Sequence, residues 1–573
     1  MDSVTTVPAP PTAETLLTGP TLGAALDHVA RTAPAARVVF PASGQRLTVA
    51  RLAAAATEQA HRLLAAGAGP GRTVGVLAGN TPAALTGFFA AAYAGAAVTL
   101  LPTPPAAGDP AARTRRLLRI LDAAGLDQLV VDPALAPLGR ALVGYRPGLR
   151  LLDPDQPASP TPRRALPRVG PDDLALLQYT SGSTTAPRGV ELTHRAVLAG
   201  LRAILVSAAF TPRDVLVQWV PLFHDMGLMG LLSQVLNGAD SHLFEPVALL
   251  RRPDGLLRYL SAHRATVFTG PNFCYDLLAE RATPELVADL DLRAWRLAFN
   301  GSEPVSAATL DRFHRALAPA GLAPSVLFPV YGLAEATLAV TFPAPGSVPR
   351  VLHLDRERLG GPDPVRPLPP GTPGARALVS VGRPVLGVRL RLVAADGRPV
   401  PEGVLGEIQV AGDPVTRGYH RSAAATAAAF DGPWLRTGDL GLVLDGDLFV
   451  AGRRKEMVVV NGCNYFPEDV EAVARTVPGV FRGNCVAVAV PDAEYEGRER
   501  IGVIVEDGAN GVSGVSTTAR ADLARRVRER VVAEVGVAAV EVYVVDRHWL
   551  TRTTSGKWQR LAAAGRLAEL ERP

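Results

Sequence analysis

Short, continuously apolar runs alternate with stretches of helical period from about residue 21 to residue 340. The run 72–80, RTVGVLAGN, reads as a strand ending in a turn. Residues 82–95 follow as a helix opened by Pro82, and AVTLLP (97–102) as the next strand. A strand apolar at every position is buried on both faces, and such strands separated by helices predict parallel βαβ units. The pattern then changes. PDQPASPTPRRALPRVGPDD (154–173) is a Pro- and Arg-rich surface loop, and residues 342–376 are again rich in Pro and Gly. From 378 to 451 short strands such as GEIQVAG and DGDLFVAG dominate, which predicts a small β-rich subdomain. The last part mixes strands (CVAVAVPD, IGVIVED) with helices over 468–476 and 518–534. The expected organisation is an α/β protein. It has a tail over 1–20 and a large N-terminal domain over 21–452, made of βαβ-type subdomains plus the β-rich one at 378–451. A small α+β C-terminal domain follows over 453–573.

Composition changes this picture little. A chain of 573 residues exceeds what one core organises, and 48% hydrophobic with 20% charged residues fits an ordinary soluble enzyme. The net charge of +5 is scattered, with no basic run of the kind that binds nucleic acid. Cys274, Cys463 and Cys485 are isolated, without metal or disulfide spacing, and read as thiols of a reducing cytoplasm. The N-terminal MDSVTTVPAPPTAETLL lacks the basic region and apolar core of a signal peptide. Residues 83–102, AALTGFFAAAYAGAAVTLLP, are long enough to span a membrane. They are Ala- and Gly-rich and turn β-branched at Val98, so a buried helix feeding a buried strand is expected, with no membrane insertion. One anomaly remains. Of 59 Lys plus Arg, only Lys455 and Lys557 are lysine.

The chemistry starts at LQYTSGSTTAPRGVELTH (177–194). A strand-like LALLQY runs into Thr180, Ser181, Gly182, Ser183, Thr184 and Thr185, with Arg188 just beyond. Hydroxyls and glycine-permitted backbone N–H groups of this kind cradle phosphate oxygens, and Arg188 adds positive charge. The spacing is not that of a Walker A loop. The bland alternative is a polar turn between strand and helix.

With this loop the chain resembles the adenylate-forming superfamily of acyl-CoA synthetases, amino-acid adenylation domains and luciferases. The family's other motifs follow in order. VPLFHDMGL (220–228) resembles the histidine-bearing acyl-pocket motif, and NGSEPV (300–305) and PVYGLAEAT (329–337) the adenine-side motifs. LRTGDLG (435–441) resembles the ribose motif, GRRKEMVVVNGCNYFPEDVE (452–471) the hinge segment, and TTSGKWQR (553–560) the C-terminal lysine motif. The resemblance implies a large N-terminal domain, a mobile C-terminal one, and ATP with Mg²⁺. A carboxylate would attack the α-phosphorus and pyrophosphate would leave. A carboxylic acid with a pKa of about 4 needs no general base, so the work is positioning and charge neutralisation.

The roles implied by the resemblance are these. Residues Thr180 to Thr185 and Arg188 hold phosphates, although Arg188 stands where lysine is common and Thr185 where glycine is common. Asn300, Gly301, Ser302, Tyr331 and Gly332 form the adenine side, with Tyr331 stacking on the base. Asp439 takes the ribose hydroxyls, Arg453 faces the nucleotide and Glu335 helps to hold Mg²⁺. His224 gates the acyl pocket, where the plain alternative is a satisfied core histidine. Lys455 marks the hinge. Lys557 bridges the substrate carboxylate and the α-phosphate, a task suited to three rotatable donors on a flexible stem.

LQYTSGST, WVPLFHDMGL, NGSEPV and GLAEATLAV most resemble fatty acyl-AMP ligases. Residues 342–376 sit where that branch carries an insertion, which restrains the C-terminal domain and disfavours transfer to free CoA. The expected activity is ATP-dependent activation of a fatty acid, followed by transfer to the phosphopantetheine thiol of an acyl carrier protein in polyketide- or lipopeptide-type biosynthesis. The alternative is an acyl-CoA synthetase using free CoA. For residues 342–376 the alternative is a tolerated surface loop.

Overall fold

In a computed structural model the described residues are 17–103, 110–152, 165–180, 187–356, 358–373, 375–460, 463–491, 499–508, 517–537, 539–552 and 558–570. Two largely parallel sheets form the body. The seven-stranded sheet runs in the order Leu327–Pro329, Leu297–Asn300, Val267–Gly270, Val215–Gln218, Asp240–Leu243, Arg37–Phe40 and Gln45–Thr48, with only the last pair antiparallel. The six-stranded sheet runs Arg150–Leu152, Gln128–Val131, Thr73–Leu77, Ala97–Leu100, Leu174–Thr180 and Arg188–Thr193, again with only the last pair antiparallel. The expected α/β class is borne out.

The reason lies in the strands. VFTG, LAFN, AVTL and QLVV are buried at every residue, which only a sheet covered on both faces allows. Helices Leu22–Thr32, Val49–Ala65, Pro82–Tyr93, His194–Ser207 and Asp225–Val235 contribute to one core shared by the two sheets. Thr48 and Thr193 cap two of them, each hydroxyl accepting a backbone N–H of the first turn (3.3 and 3.1 Å). The apolar stretch 83–102 is the buried helix and strand expected. Among the described residues no helix is long and apolar enough to cross a membrane.

Strands Val388–Val393, Gly406–Gly412, Trp434–Leu444, Phe430–Asp431 and Asp447–Arg453 make an antiparallel sheet. The Pro- and Gly-rich segment 342–376 is more ordered than its composition suggests. Val351–Asp355 pairs antiparallel with both Pro367–Leu368 and Ala375–Val379. Leu352, Leu354, Leu359 and Val365 pack with Leu440, Leu442, Phe449 and Phe466. After residue 453 come strands Val480–Pro491, Glu499–Asp507 and Val540–Val545 in one sheet, with helices Pro467–Ala474, Thr517–Val535 and Arg560–Leu570. This part carries clusters of its own, built around Val470, Val503 and Val527 and around Val486, Ile504 and Leu550.

Candidate active site

Parallel strands present their ligands at their carboxyl ends. Here those ends are Gln218, Gly270, Asn300 and Pro329 in one sheet and Leu77, Leu100 and Thr180 in the other. Chain leaving Pro329 is held by Val330 N–H donating to Asn300 O at 2.8 Å, which sets the position of Tyr331. The hydroxyl of Tyr331 donates to Asp439 Oδ2 at 2.7 Å, and Arg453 Nε donates to Oδ1 at 3.0 Å. Asp439 and Arg453 are register partners on neighbouring strands, so the ladder itself brings the guanidinium to the carboxylate. Asp439 is nearly buried. Burial and the charge of Asp439 push the Tyr331 phenol well above its ordinary range, which keeps it a neutral donor. The Asp439 carboxylate raises the already high pKa of Arg453.

Gly332 follows in a turn too tight for another residue, because a Cβ there would collide with the carbonyl of Leu338. A 3₁₀ turn, Ala334–Ala336, then aims Glu335 toward Tyr419, whose hydroxyl donates to Oε1 at 2.8 Å. Burial raises the Glu335 carboxyl, and Asp225 adds to the effect. Arg188 lies with its guanidinium 5.7 Å from the centre of the Tyr419 ring. Arg188, Tyr419 and Glu335 thus form a continuous polar wall. Behind it Glu191 accepts from Arg417 Nε at 2.8 Å and lies 2.8 Å from His420 Nδ1.

On the other side, Asn300 is buried. Its Nδ2 donates to Asn272 Oδ1 at 3.2 Å, while its Oδ1 has no hydrogen-bond partner. Gly301 packs against Val330 too closely for a side chain of its own. Ser302 takes a positive φ of 67° and its hydroxyl donates to Met226 Sδ at 3.1 Å. That contact ties the NGSEPV turn to the helix that His224 precedes. The His224 ring lies 4.5 Å from that of Phe223. Lys455 is exposed in the turn after Arg453, beside an Arg454–Glu407 ion pair of 3.2 Å.

The structure therefore gathers Arg188, Tyr331, Glu335, Asp439 and Arg453. Thr180 ends its strand opposite Arg188 in the ladder. Ser181, Gly182, Ser183, Thr184, Thr185 and Lys557 lie outside the described residues. Arg552 and Trp558 pair antiparallel on either side of the Lys557 segment, with the guanidinium 3.6 Å from the indole centre. Two groups escaped the sequence reading. Tyr419 stands in GYH, which has no periodic or motif signal. Arg376 and Asp469 lie far apart in the chain, yet Asp469 accepts Arg376 Nε at 2.9 Å and Arg356 Nη1 at 2.8 Å.

No cluster of three or more His, Cys, Asp or Glu among the described residues is arranged to hold a metal. A single carboxylate, Glu335, suits Mg²⁺ that takes its remaining oxygens from phosphates and water.

A two-sheet α/β body whose strand end presents a tyrosine to a buried carboxylate–arginine pair of the adjoining antiparallel sheet has the architecture of the adenylate-forming enzymes. The AMP-binding enzyme family matches residues 26–420. A medium-chain-fatty-acid–acyl-carrier-protein ligase of Teredinibacter turnerae is 34% identical over 429 residues, covering 70% of this chain and 64% of that protein. A long-chain-fatty-acid–AMP ligase of Mycobacterium marinum is 35% identical over 438 residues, 73% of each chain. A structure from work on fatty acyl-adenylate ligases of E. coli and L. pneumophila superposes with a TM-score of 0.88 at 31% identity, covering 97% of this chain and 99% of that one. The chain belongs to the AMP-binding enzyme family.

Proposed function

We propose that this chain is a cytoplasmic fatty acyl-AMP ligase. It would activate a fatty acid with ATP to the acyl-adenylate, release pyrophosphate, and pass the acyl group to the phosphopantetheine thiol of an acyl carrier protein. The observation that carries this reading is the likeness over nearly the whole chain to a fatty acyl-adenylate ligase structure. The names of the Teredinibacter and Mycobacterium relatives support the acid and the carrier.

The residues fit the first half-reaction. Asp439, fixed at both oxygens, offers lone pairs to two ribose hydroxyls. Asn300 Oδ1 is a buried acceptor available to a donor on the base side. Arg188 and residues 180–185 would neutralise the leaving pyrophosphate. Lys557 would bridge the attacking carboxylate and the α-phosphate. Glu335 would hold Mg²⁺, which when bound spreads the phosphate charge. His224 would border the acyl chain.

The second half-reaction requires residues 453–573 to swing at Lys455. Residues 342–376 bear on that step. Arg356 and Arg376 grip Asp469 in the first turn of helix Pro467–Ala474, and Arg376 lies 4.3 Å from the centre of the Phe466 ring. A largely shielded two-arginine clamp would resist that rotation, which favours a carrier-borne thiol over small, freely diffusing CoA.

The test is mass spectrometry with ATP, Mg²⁺ and a panel of fatty acids, run alone, with CoA, and with phosphopantetheinylated carrier. Acyl-AMP that accumulates beside CoA and is consumed by the carrier is the expected result. Rapid acyl-CoA formation would make the chain an acyl-CoA synthetase instead.

A further inference from the structure

The segment that carries His224 runs between the two sheets. Trp219, Val220, Leu222 and Phe223 are all buried there. A buried loop cannot give its backbone groups to water, so each needs a protein partner. Three side-chain carboxamides from separate strands or strand ends supply them. Asn80, just past strand Thr73–Leu77, donates through Nδ2 to Phe244 O at 2.7 Å, Trp219 O at 3.2 Å and Val220 O at 3.3 Å. Its Oδ1 accepts Leu222 N–H at 3.1 Å. Gln218, at the end of its strand, donates to Gly227 O at 2.6 Å. Gln178 donates to Phe223 O at 2.7 Å. All three side chains are almost fully buried.

Gln178 differs from the other two in where it stands. It lies on strand Leu174–Thr180, two residues before Thr180, and its ladder partner is Val190 on the strand that begins at Arg188. Its hydrogen bond ends on the residue next to His224. One side chain therefore joins the strand pair beside the phosphates to the loop beside the acyl chain. A neutral carboxamide can do this in the interior, where a charged group would cost far more to bury.

We infer that Gln178 is a positioning residue that couples nucleotide binding to the conformation of the loop 219–224, and through it to capture of the fatty acid. This rests on the adenylating function proposed above. Nucleotide settling against strands Leu174–Thr180 and Arg188–Thr193 fixes Gln178, and Gln178 fixes the carbonyl of Phe223. ATP then prepares the carboxylate site before the acid arrives.

The experiment is hydrogen–deuterium exchange on the full chain, with and without α,β-methylene ATP and Mg²⁺. In the wild-type protein nucleotide slows exchange in peptides covering 219–226 by about tenfold. Gln178→Met keeps the shape and removes the donor. It abolishes that slowing while the nucleotide Kd stays within about threefold, and it raises KM for the acid far more than KM for ATP. Gln218→Met is the comparison. It lowers thermal stability but leaves the nucleotide effect on 219–226 in place. Should Gln178→Met fail to fold, Gln178→Asn, one methylene too short to reach, serves instead. Loop exchange that ignores nucleotide in the wild type, or that still responds in a folded Gln178 variant, overturns the inference. Absence of pyrophosphate release with every acid would sink the proposed function separately, since the exchange experiment needs no acid.

Discussion

Arg376 and Asp469 form an ion pair at 2.9 Å between a Pro- and Gly-rich segment and the first turn of helix Pro467–Ala474. Both side chains are largely shielded, and Arg356 approaches the same carboxylate from the other oxygen at 2.8 Å. Stranding a buried charge costs about 3–5 kcal/mol, and because Arg356 still pairs with Asp469 the loss of Arg376 should cost less than that. Arg376→Met is expected to lower thermal stability and to raise the acyl-CoA to acyl-carrier product ratio. Calorimetry and competitive mass spectrometry read the two effects. A folded variant with an unchanged ratio would show that the clamp does not select the acceptor.

Asp439→Asn keeps the size of the side chain and removes the charge that Tyr331 and Arg453 engage. Hydrogen bonds to a charged group are worth about 1.5–3 kcal/mol, so nucleotide affinity should fall roughly ten- to a hundredfold. Tyr331→Phe, which loses one neutral donor, should cost less. Calorimetric titration with AMP compares the two, and equal affinities would remove Asp439 from the ribose site.

Lys557→Ala should separate the half-reactions. Loss of a charge that stabilises the transition state typically costs about 10²–10³ in rate. Pyrophosphate release is expected to fall by that factor. Transfer from chemically prepared acyl-AMP to the carrier should stay within a few-fold. Equal loss in both would mean that Lys557 is not specific to adenylation.

Glu335 carries a pH signature. Burial raises its carboxyl above the ordinary 4.5, so a protonated fraction persists at weakly acidic pH in the free enzyme. In the proposed site only the ionised form of Glu335 could hold Mg²⁺. kcat/KM for MgATP should therefore rise with pH through a limb displaced above the ordinary carboxylate value. Glu335→Gln should flatten that limb and weaken the dependence on Mg²⁺. An unshifted limb in the variant would assign it to another group.

Although Glu468 pairs with Arg560 at 3.0 Å, it gives a stability signature of the opposite sense to an acid whose pKa a salt bridge lowers. It is largely shielded beside Glu471 and Glu456, with Arg560 opposing them, and loss of water around it lifts its carboxyl to about 7. Between the unfolded value near 4.5 and about 7 the folded chain holds a proton that the unfolded chain has released. Stability from this group is thus full at low pH and is lost as pH rises through 7. Thermal scans of the full chain should show unfolding temperature falling over that interval, and Glu468→Gln should remove the slope. A slope that persists in the variant would point elsewhere.

The parallel sheets were legible because their strands are apolar throughout; Tyr331, Glu335, Asp439 and Arg453 stand in spaced motifs that mark them as candidates, and the fold brings Tyr331, Asp439 and Arg453 together. Strand Val351–Asp355 was hidden by surrounding Pro and Gly. Its own alternation was present, with Leu352 and Leu354 buried and His353 half-exposed between them. The Arg376–Asp469 pair was beyond reach, since contacts between residues 93 apart leave no local pattern. Gln178 left a trace as a polar residue inside the apolar LALLQY, where a buried strand tolerates an amide only with a partner. Nothing in the sequence named Phe223 as that partner.

The exposed turn at Lys455 has one more consequence. An acyl-adenylate is a mixed anhydride, and it acylates free amines. Guanidinium groups stay protonated and are poor nucleophiles at neutral pH. With 59 basic side chains of which two are lysine, the protein would offer the proposed acyl-adenylate very few side-chain amines to attack. Among the described residues Lys455 is the only such side chain, and it projects into solvent. Under the proposed function this scarcity of amines would limit self-acylation by the anhydride, and among the described residues amine-directed dyes would mark Lys455.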